Sequence, residues 1–453
     1  MEKRGEKEER SFRDKISTVD EKGNRRWIYC KKPVGRYYRY REYVSYLLLL
    51  LLFAGPWIRI SGEPLLLLNI IERKFVIFGQ IFWPQDIHLF VLIMISFILF
   101  IILFTTIYGR LFCGWVCPQT VFMEMLFRKI EYWIEGDYKH QKKLSEQQWS
   151  FLKAWKRSLK YLIFYLISLA IAHTFLAYII GSEKLIAIQT SPPTEHLIGF
   201  ISIFVFSAVF FLVFAWFREQ VCLIVCPYGR LQGVMLDRNS IVIAYDYIRG
   251  EGRGKFRKSE DRKRVGKGDC IDCENCVDVC PTGIDVRNGT QLECINCTAC
   301  MDACDFMMDK VGLDKGLIRY DSENAIAENV SNKITFRSKA YSVVLVLLLG
   351  FIGLVFSWRG DVETTILRTP GMLFQETEDG RISNLYNVKV VNKSDDSLPI
   401  TFSLNGIPGT IQMVGDDTLK LIRGKVNEQA FFVVLSKGEV SKKSTAIQID
   451  VNS

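Results

Sequence analysis

The stretch Cys270-Ile271-Asp272-Cys273-Glu274-Asn275-Cys276-Val277-Asp278-Val279-Cys280-Pro281 is followed, after Cys280, by thirteen residues and then by Cys294-Ile295-Asn296-Cys297-Thr298-Ala299-Cys300-Met301-Asp302-Ala303-Cys304-Asp305. This is C-x2-C-x2-C-x3-C written twice. Three thiolates on one tight loop can cap three irons of a [4Fe-4S] cubane, and the fourth ligand then comes from the other repeat. On that rule Cys270, Cys273, Cys276 and Cys304 hold one cluster, and Cys280, Cys294, Cys297 and Cys300 hold the other. Pro281 closes the first repeat as the pattern expects, whereas Asp305 stands where the second would carry proline. Zinc prefers its four ligands as two close pairs, and disulfides need an oxidising compartment. Neither accounts for three close cysteines repeated twice.

Working outward, the chain of 453 residues is too long for one ordinary domain, and its 49% hydrophobic content suits a mixture of membrane and soluble parts. The chain opens with charged and polar residues, so nothing there reads as a cleavable signal peptide. Five apolar runs approach the roughly 20 residues that a membrane span requires. They cover 43–60, 87–108, 158–180, 197–217 and 340–357. The segments 1–42, 109–157 and 218–339 are loaded with Lys and Arg, while the loops 61–86 and 181–196 hold only Arg73, Lys74 and Lys184. The positive-inside rule then places the N-terminus and the cysteine repeats in the cytoplasm and delivers 360–453 to the far side.

The expected division is a basic, aromatic N-terminal segment at 1–42, four spans within 43–217, a two-cluster domain at 218–339, a fifth span at 340–357 and a final domain at 360–453. Arg25 to Arg41 mixes cations with aromatics, as an interfacial anchor does, while 1–24 reads as a solvated tail. Composition alone would allow nucleic-acid binding there, but a membrane setting argues against it. The apolar loop 61–86 is interrupted by Glu72-Arg73-Lys74 and reads as surface-lying or re-entrant. The segment from Val121 to Trp133 has helical period and reads as an amphipathic helix on the inner leaflet or on the cluster domain. The basic linker from Arg249 to Lys267 reads as solvated and lipid-facing, with steering of an acidic electron donor as its functional alternative. Past the last span, short alternating runs at 386–390, 400–404, 411–413, 431–435 and 447–451 predict a small all-β sandwich.

A second constellation lies at the ends of the second and fourth runs. The first reads Cys113-Gly114-Trp115-Val116-Cys117-Pro118 and the other Cys222-Leu223-Ile224-Val225-Cys226-Pro227. Helical positions i and i+4 share a face, so each pair can aim two thiols one way, and the proline is expected to break the helix just after. If the two spans pack together, Cys113, Cys117, Cys222 and Cys226 converge just below the cluster domain. Four soft thiolates select Cu(I), zinc or an iron–sulfur centre. A redox-active dithiol pair and inert buried thiols are the alternatives. His88, His173 and His196 would all fall in the outer half of the membrane, where they could ligate copper or haem, although lone span histidines more often bond within the bundle.

Together these residues resemble the cytochrome c oxidase accessory family known as CcoG, FixG or RdxA. The resemblance is carried by 110–125, Arg128 to Asp137, Gly283 to Gly289, Ala303 to Lys310 and Gly316 to Tyr320. It implies a polytopic α-helical membrane protein with a cytoplasmic two-cluster ferredoxin-like domain and a C-terminal Ig-like β domain on the periplasmic side of the bacterial inner membrane. It also implies reduction of Cu(II) to Cu(I) for assembly of cbb3-type oxidase. Copper chaperones or a copper transporter, the oxidase subunits and a cytoplasmic electron donor would be its partners, and a homodimer is compatible. Cys113, Cys117, Cys222 and Cys226 are then both the catalytic residues and the copper-binding residues. A quinol dehydrogenase with the same cysteine motifs, and a non-catalytic redox-sensing assembly scaffold, are the competing readings.

Overall fold

The computed structural model describes residues 17–452 apart from 21, 61, 84–85, 259, 331–334, 359–361, 372–373, 378, 393–397, 416–418, 422–425 and 441–444. Four described helices are long and apolar enough to cross a membrane: Ile87–Tyr108, Phe151–Ile180, Leu197–Phe217 and Phe336–Ser357. A 22-residue helix is about 33 Å long at 1.5 Å per residue, close to the thickness of a hydrocarbon core. The first apolar run differs from expectation. Its helix covers Arg36–Ala54, beginning before 43 and ending before 60, and its opening turns carry Arg36, Arg39, Arg41 and Glu42. Only about a dozen of its residues are uninterrupted by charge, or ~18 Å, yet its first turn meets Asp302 of the cysteine repeats and its far end meets Tyr178 and Ser182 at the end of Phe151–Ile180.

Leu197–Leu212 packs along Phe151–Ile180, and Phe336–Ser357 along Ile87–Tyr108. The segment expected as an amphipathic surface helix instead enters the bundle. Residues Val121–Phe127 form a π-helical stretch that continues into Arg128–Ile134. Phe127 stacks on Phe214 at 4.5 Å and meets Phe164 edge-on at 4.8 Å. Glu124, Arg128 and Glu131 are buried as well, while Lys129 stays partly exposed and pairs with Glu42, so most of the polar face meets protein rather than water. The loop 61–86 is not a span: it forms an antiparallel three-stranded sheet from Leu66–Asn69, Lys74–Ile77 and Gln80–Phe82, the first strand lying against the Phe151–Ile180 helix.

The cysteine repeats are enclosed by a two-stranded antiparallel sheet, Val242–Tyr245 with Ile318–Asp321. Its core gathers Ile243, Tyr245, Val286, Met301, Met308 and Leu317 around Cys270, Cys276 and Cys304. The basic linker is tied down at Arg262, which donates to the carbonyls of Gly254, Gly268 and Cys270, and at Arg249, which donates to Asp269 at 2.5 Å. Lys255, Arg257, Lys258, Lys263 and Arg264 stay exposed, as a solvated linker requires.

The C-terminal domain has two antiparallel sheets. One runs Gly409–Met413, Val426–Leu435, Ile382–Asn392 and Val362–Arg368, with Gln375–Glu376 on the edge of Ile382–Asn392. The other runs Leu419–Leu421, Leu398–Asn405 and Gln448–Asn452. Val388, Val390, Ile400, Leu421, Phe431 and Val433 form the core between them, the alternate positions of each strand.

Candidate electron-transfer site

The two cysteine loops share one backbone design. Asp272 and Glu274 in the first, and Asn296 and Thr298 in the second, have φ between 53° and 67°. These four sit at matching places, two and four residues after Cys270 and Cys294. A left-handed residue costs about 1–2 kcal/mol when it is not glycine, so the loops are held in shape by their surroundings. Arg287 pairs with Asp272 at 2.6 Å and with Asp285 at 2.7 Å, bracing the first loop. Short helices Asn275–Asp278 and Ala299–Val311 leave the loops. The second explains the missing proline: position 305 lies inside that helix, where proline would remove a backbone bond. Asp305 instead accepts from Gly316 N at 2.9 Å.

The fold brings the eight cysteines into two groups. Cys280, Cys294, Cys297 and Cys300 line one cavity together with Pro281, Ile284 and Ile295, and Cys276 reaches its wall. Cys270, Cys273 and Cys276 surround Cys304 closely enough for their charges to raise its pKa, after burial itself. Both donor sets are all-thiolate, as [4Fe-4S] cubanes require, with Cys276 close to both. Burial pushes Cys276 and Cys297 up to about 12 and Cys294 to about 11. Loading therefore has to displace protons from these sites.

The C-x3-C-P motifs lie just beyond the two helix ends and repeat one another. Helix Ile87–Tyr108 stops at Gly109 (φ 55°, ψ −132°), and Leu197–Phe217 stops at Arg218 (φ 52°, ψ −125°). Cys117 N then donates to Phe112 O at 2.9 Å, and Cys226 N to Val221 O at 2.8 Å. Cys117 and Cys226 each cap a following helix that has proline at its first position. Each proline follows the end of one helical segment, with Cys117 and Cys226 extended before it, and also starts the next helix, where its missing N–H is an orphan anyway. The four thiols come within electrostatic reach: Cys222 senses Cys117, Cys113 and Cys226, while burial sets its pKa at about 12.

These motifs dock on the second cysteine loop. Cys113 is packed with Ile295, Cys297 and Ala299. A β-carbon on Gly114 would sit 2.4 Å from Ile295 O, so only glycine allows this approach. Arg41 is buried and donates to Gly114 O at 2.6 Å. Arg110, also buried, donates to Gln232 Oε1 at 2.8 Å, and Cys113 Sγ donates to the same oxygen at 3.3 Å. Arg110 opposes the burial of Cys113, Cys222 and Cys294 alike. Its charge serves both the motif site and the neighbouring cysteine loop.

Two 4Fe-4S family models match the chain, a 4Fe-4S dicluster domain over 217–323 and a 4Fe-4S binding domain over 89–143. A third, described as the Ig-like fold at the C-terminus of FixG, matches 352–453. Protein RdxB of Cereibacter sphaeroides is 33% identical, covering 85% of this chain and 86% of its own length. Nitrogen fixation protein FixG of Rhizobium meliloti is 31% identical over 92% of this chain and 88% of its own. Protein RdxA of Cereibacter sphaeroides is 34% identical over 78% and 77%. The chain belongs to the FixG/RdxA family. It is a FixG-like iron–sulfur membrane electron-transfer protein, with 4Fe-4S domains and a C-terminal Ig-like fold.

Some features of this FixG-like chain were invisible to motif reading. Arg25, expected at the membrane surface, turns inward to Glu219 at 3.5 Å. From there a buried ion-pair chain runs through Arg218, Glu131, Lys160 and Glu135, with Arg128 and Glu124 branching from Glu219. Cys30 is buried, with Arg128 donating to its sulfur and Tyr132 Oη 3.2 Å away. The histidines stand apart: His173 Nδ1 meets Leu169 O of its own helix at 2.7 Å, while His88 and His196 are exposed. Among the described residues, no three His, Cys, Asp or Glu side chains are grouped to hold one metal ion, and this includes all the cysteines above.

Proposed function

We propose that the protein carries electrons from a cytoplasmic donor, through two cubanes held by the Cys270–Cys304 repeats, to the site formed by Cys113, Cys117, Cys222 and Cys226. Cu(II) is the substrate there. It gains one electron and leaves as Cu(I), the state that soft thiolate prefers. The product serves assembly of cbb3-type cytochrome c oxidase, delivered through copper chaperones or a copper transporter. The observation that carries this reading is the docking of Cys113 and Gly114 on the Ile295–Ala299 loop, which leaves no intervening layer between electron source and exit. The Lys/Arg asymmetry supports a bacterial inner-membrane setting with the cysteine repeats inside and the β domain outside.

The test is direct. Anaerobically purified, dithionite-reduced protein is freed of reductant and mixed with Cu(II) and a Cu(I)-specific chelator. Stoichiometric Cu(I) trapping, lost in Cys113→Ala and Cys226→Ala, is expected. Reduced protein that leaves Cu(II) untouched would favour the scaffold reading.

A second reading, exchange with a membrane quinol, draws on an apolar cavity of about 470 Å³. It is lined by Leu49 and Leu52 on one side and by Phe112, Val116 and Pro118 of the first motif on the other. Rapid reduction of the cubanes by a soluble quinol analogue would favour this reading.

A further inference from the structure

Of the thirteen cysteines, eight fall into the two groups of the repeats, and Cys30 lies apart against Arg128 and Tyr132. Four remain: Cys113, Cys117, Cys222 and Cys226. The segment 89–143 matches a family described as a 4Fe-4S binding domain, yet Cys113 and Cys117 are its only cysteines. A cubane takes four thiolates. The fold sets one uncommitted pair beside them, Cys222 and Cys226, in the same backbone frame: the same abrupt stop at φ near 55°, the same long backward amide bond and the same proline-started helix. We infer that Cys113, Cys117, Cys222 and Cys226 hold a third [4Fe-4S] cluster.

Two further observations favour a cluster. The site has a buried cation to offset a cluster with four thiolates, since Arg110 and Cys113 both donate to Gln232 Oε1 and an Arg110 amino nitrogen lies over Gly229 beside Cys222 O. Finally, Gly229 keeps the approach open: a β-carbon there would stand 2.6 Å from Cys222 O and 3.0 Å from an Arg110 amino nitrogen. Any side chain at 229 would displace the arginine from the thiols.

This inference rests on the four cysteines being where electrons leave, and it puts a cluster rather than copper on their sulfurs, so that Cu(II) takes its electron from the cluster without binding these thiolates. One electron arrives from the neighbouring cysteine loop and one leaves to Cu(II), so the site ends as it began. The test counts iron and acid-labile sulfide in copper-free, anaerobically purified full-length protein. About 12 irons per chain are expected, falling to about 8 in Cys113→Ala and Cys226→Ala, with the EPR signals of the other two clusters kept and Cys30→Ala unchanged. About 8 irons in the unaltered protein would overturn the inference. So would one copper per chain that disappears in Cys113→Ala while iron stays at about 8, a result that would instead support direct copper ligation. A protein with about 12 irons that fails to reduce Cu(II) supports the third cluster and overturns only the copper reading.

Discussion

Arg218 and Glu131 form a two-pronged ion pair, 2.6 and 2.8 Å, in which both side chains are buried. Arg218 is the residue that ends the Leu197–Phe217 helix at positive φ, so the pair holds a strained corner two residues from the π-helical turn carrying Cys222. Removing one partner of such a pair strands the other charge, at a cost of about 3–5 kcal/mol. Glu131→Gln is expected to lower the thermal midpoint in detergent sharply. Glu131→Leu with Arg218→Met should lose less than the two single changes combined, since the groups are coupled. Additive losses would show that the pair does not act as a unit.

The same carboxylate sets a pH dependence. Burial alone would raise Glu131, but Arg218 and then Lys160 hold it down at about 2, against an ordinary 4.5. The depressed value means that its contribution is full above the ordinary pKa and is lost as pH falls from about 4.5 through about 2. Acid unfolding of the unaltered protein should be steeper in that window than that of the Leu/Met double variant. Parallel curves would assign the acid sensitivity to other groups.

Asp302 closes the start of the first helix from outside. Its carboxylate accepts from Tyr37 N at 3.1 Å and Tyr38 N at 2.7 Å, and Gly35 leaves the room, since a β-carbon there would overlap Asp302. A negative cap at a helix N-terminus is worth about 1 kcal/mol. Asp302→Ala should lose about that much and speed amide exchange at Tyr37 and Tyr38, with cluster content retained. Unchanged exchange would show that the cap is dispensable.

How much of this was legible in the sequence follows from how local each determinant is. Cysteine spacing is local, so two groups of four could be proposed from it, and the structure sets Cys280 in one cavity with Cys294, Cys297 and Cys300. Span helices announce themselves by continuous hydropathy. The Ig-like domain showed in its alternation, apart from Val362–Arg368 and the short strands Gln375–Glu376 and Leu419–Leu421, which are too brief to alternate. The buried ion-pair chain was not legible, because Glu124, Arg128, Glu131 and Glu135 look like the wet face of an amphipathic helix until Arg218, Glu219 and Lys160 are brought to them from about 25 to 90 residues away. The C-x3-C-P turns were half legible: the break at each proline could be read, but not that Pro118 and Pro227 also begin the next helix.

Cys280 belongs by sequence to the first repeat but lies in the cavity of the second. Cys280→Ser should therefore damage the cluster whose other ligands are Cys294, Cys297 and Cys300. EPR of the reduced variant should keep the signal of the Cys270, Cys273, Cys276 and Cys304 set. Loss of that signal instead would reverse the ligand assignment.

The last prediction concerns Arg110. This buried guanidinium donates to Gln232 and to Leu292 O, and it lies near enough to Cys113, Cys222 and Cys294 to oppose the burial that raises their pKa values. A fixed cation beside an iron–sulfur group stabilises the reduced form, which carries one more negative charge, and so raises its potential. Arg110→Gln removes that charge while keeping a polar side chain of similar reach. Its nearest cluster should shift to a potential lower by about 60 mV or more, a tenfold change in a one-electron equilibrium. Arg110→Lys keeps the charge but not the fork, and should restore most of the shift. The cluster of Cys270, Cys273, Cys276 and Cys304 serves as the internal reference, because Arg287, not Arg110, is the cation that opposes burial at Cys276. An EPR-monitored redox titration of the three proteins decides the matter. Equal potentials would mean that Arg110 only holds Gln232 and the Leu292 carbonyl in place, and that its charge is screened from the sulfurs.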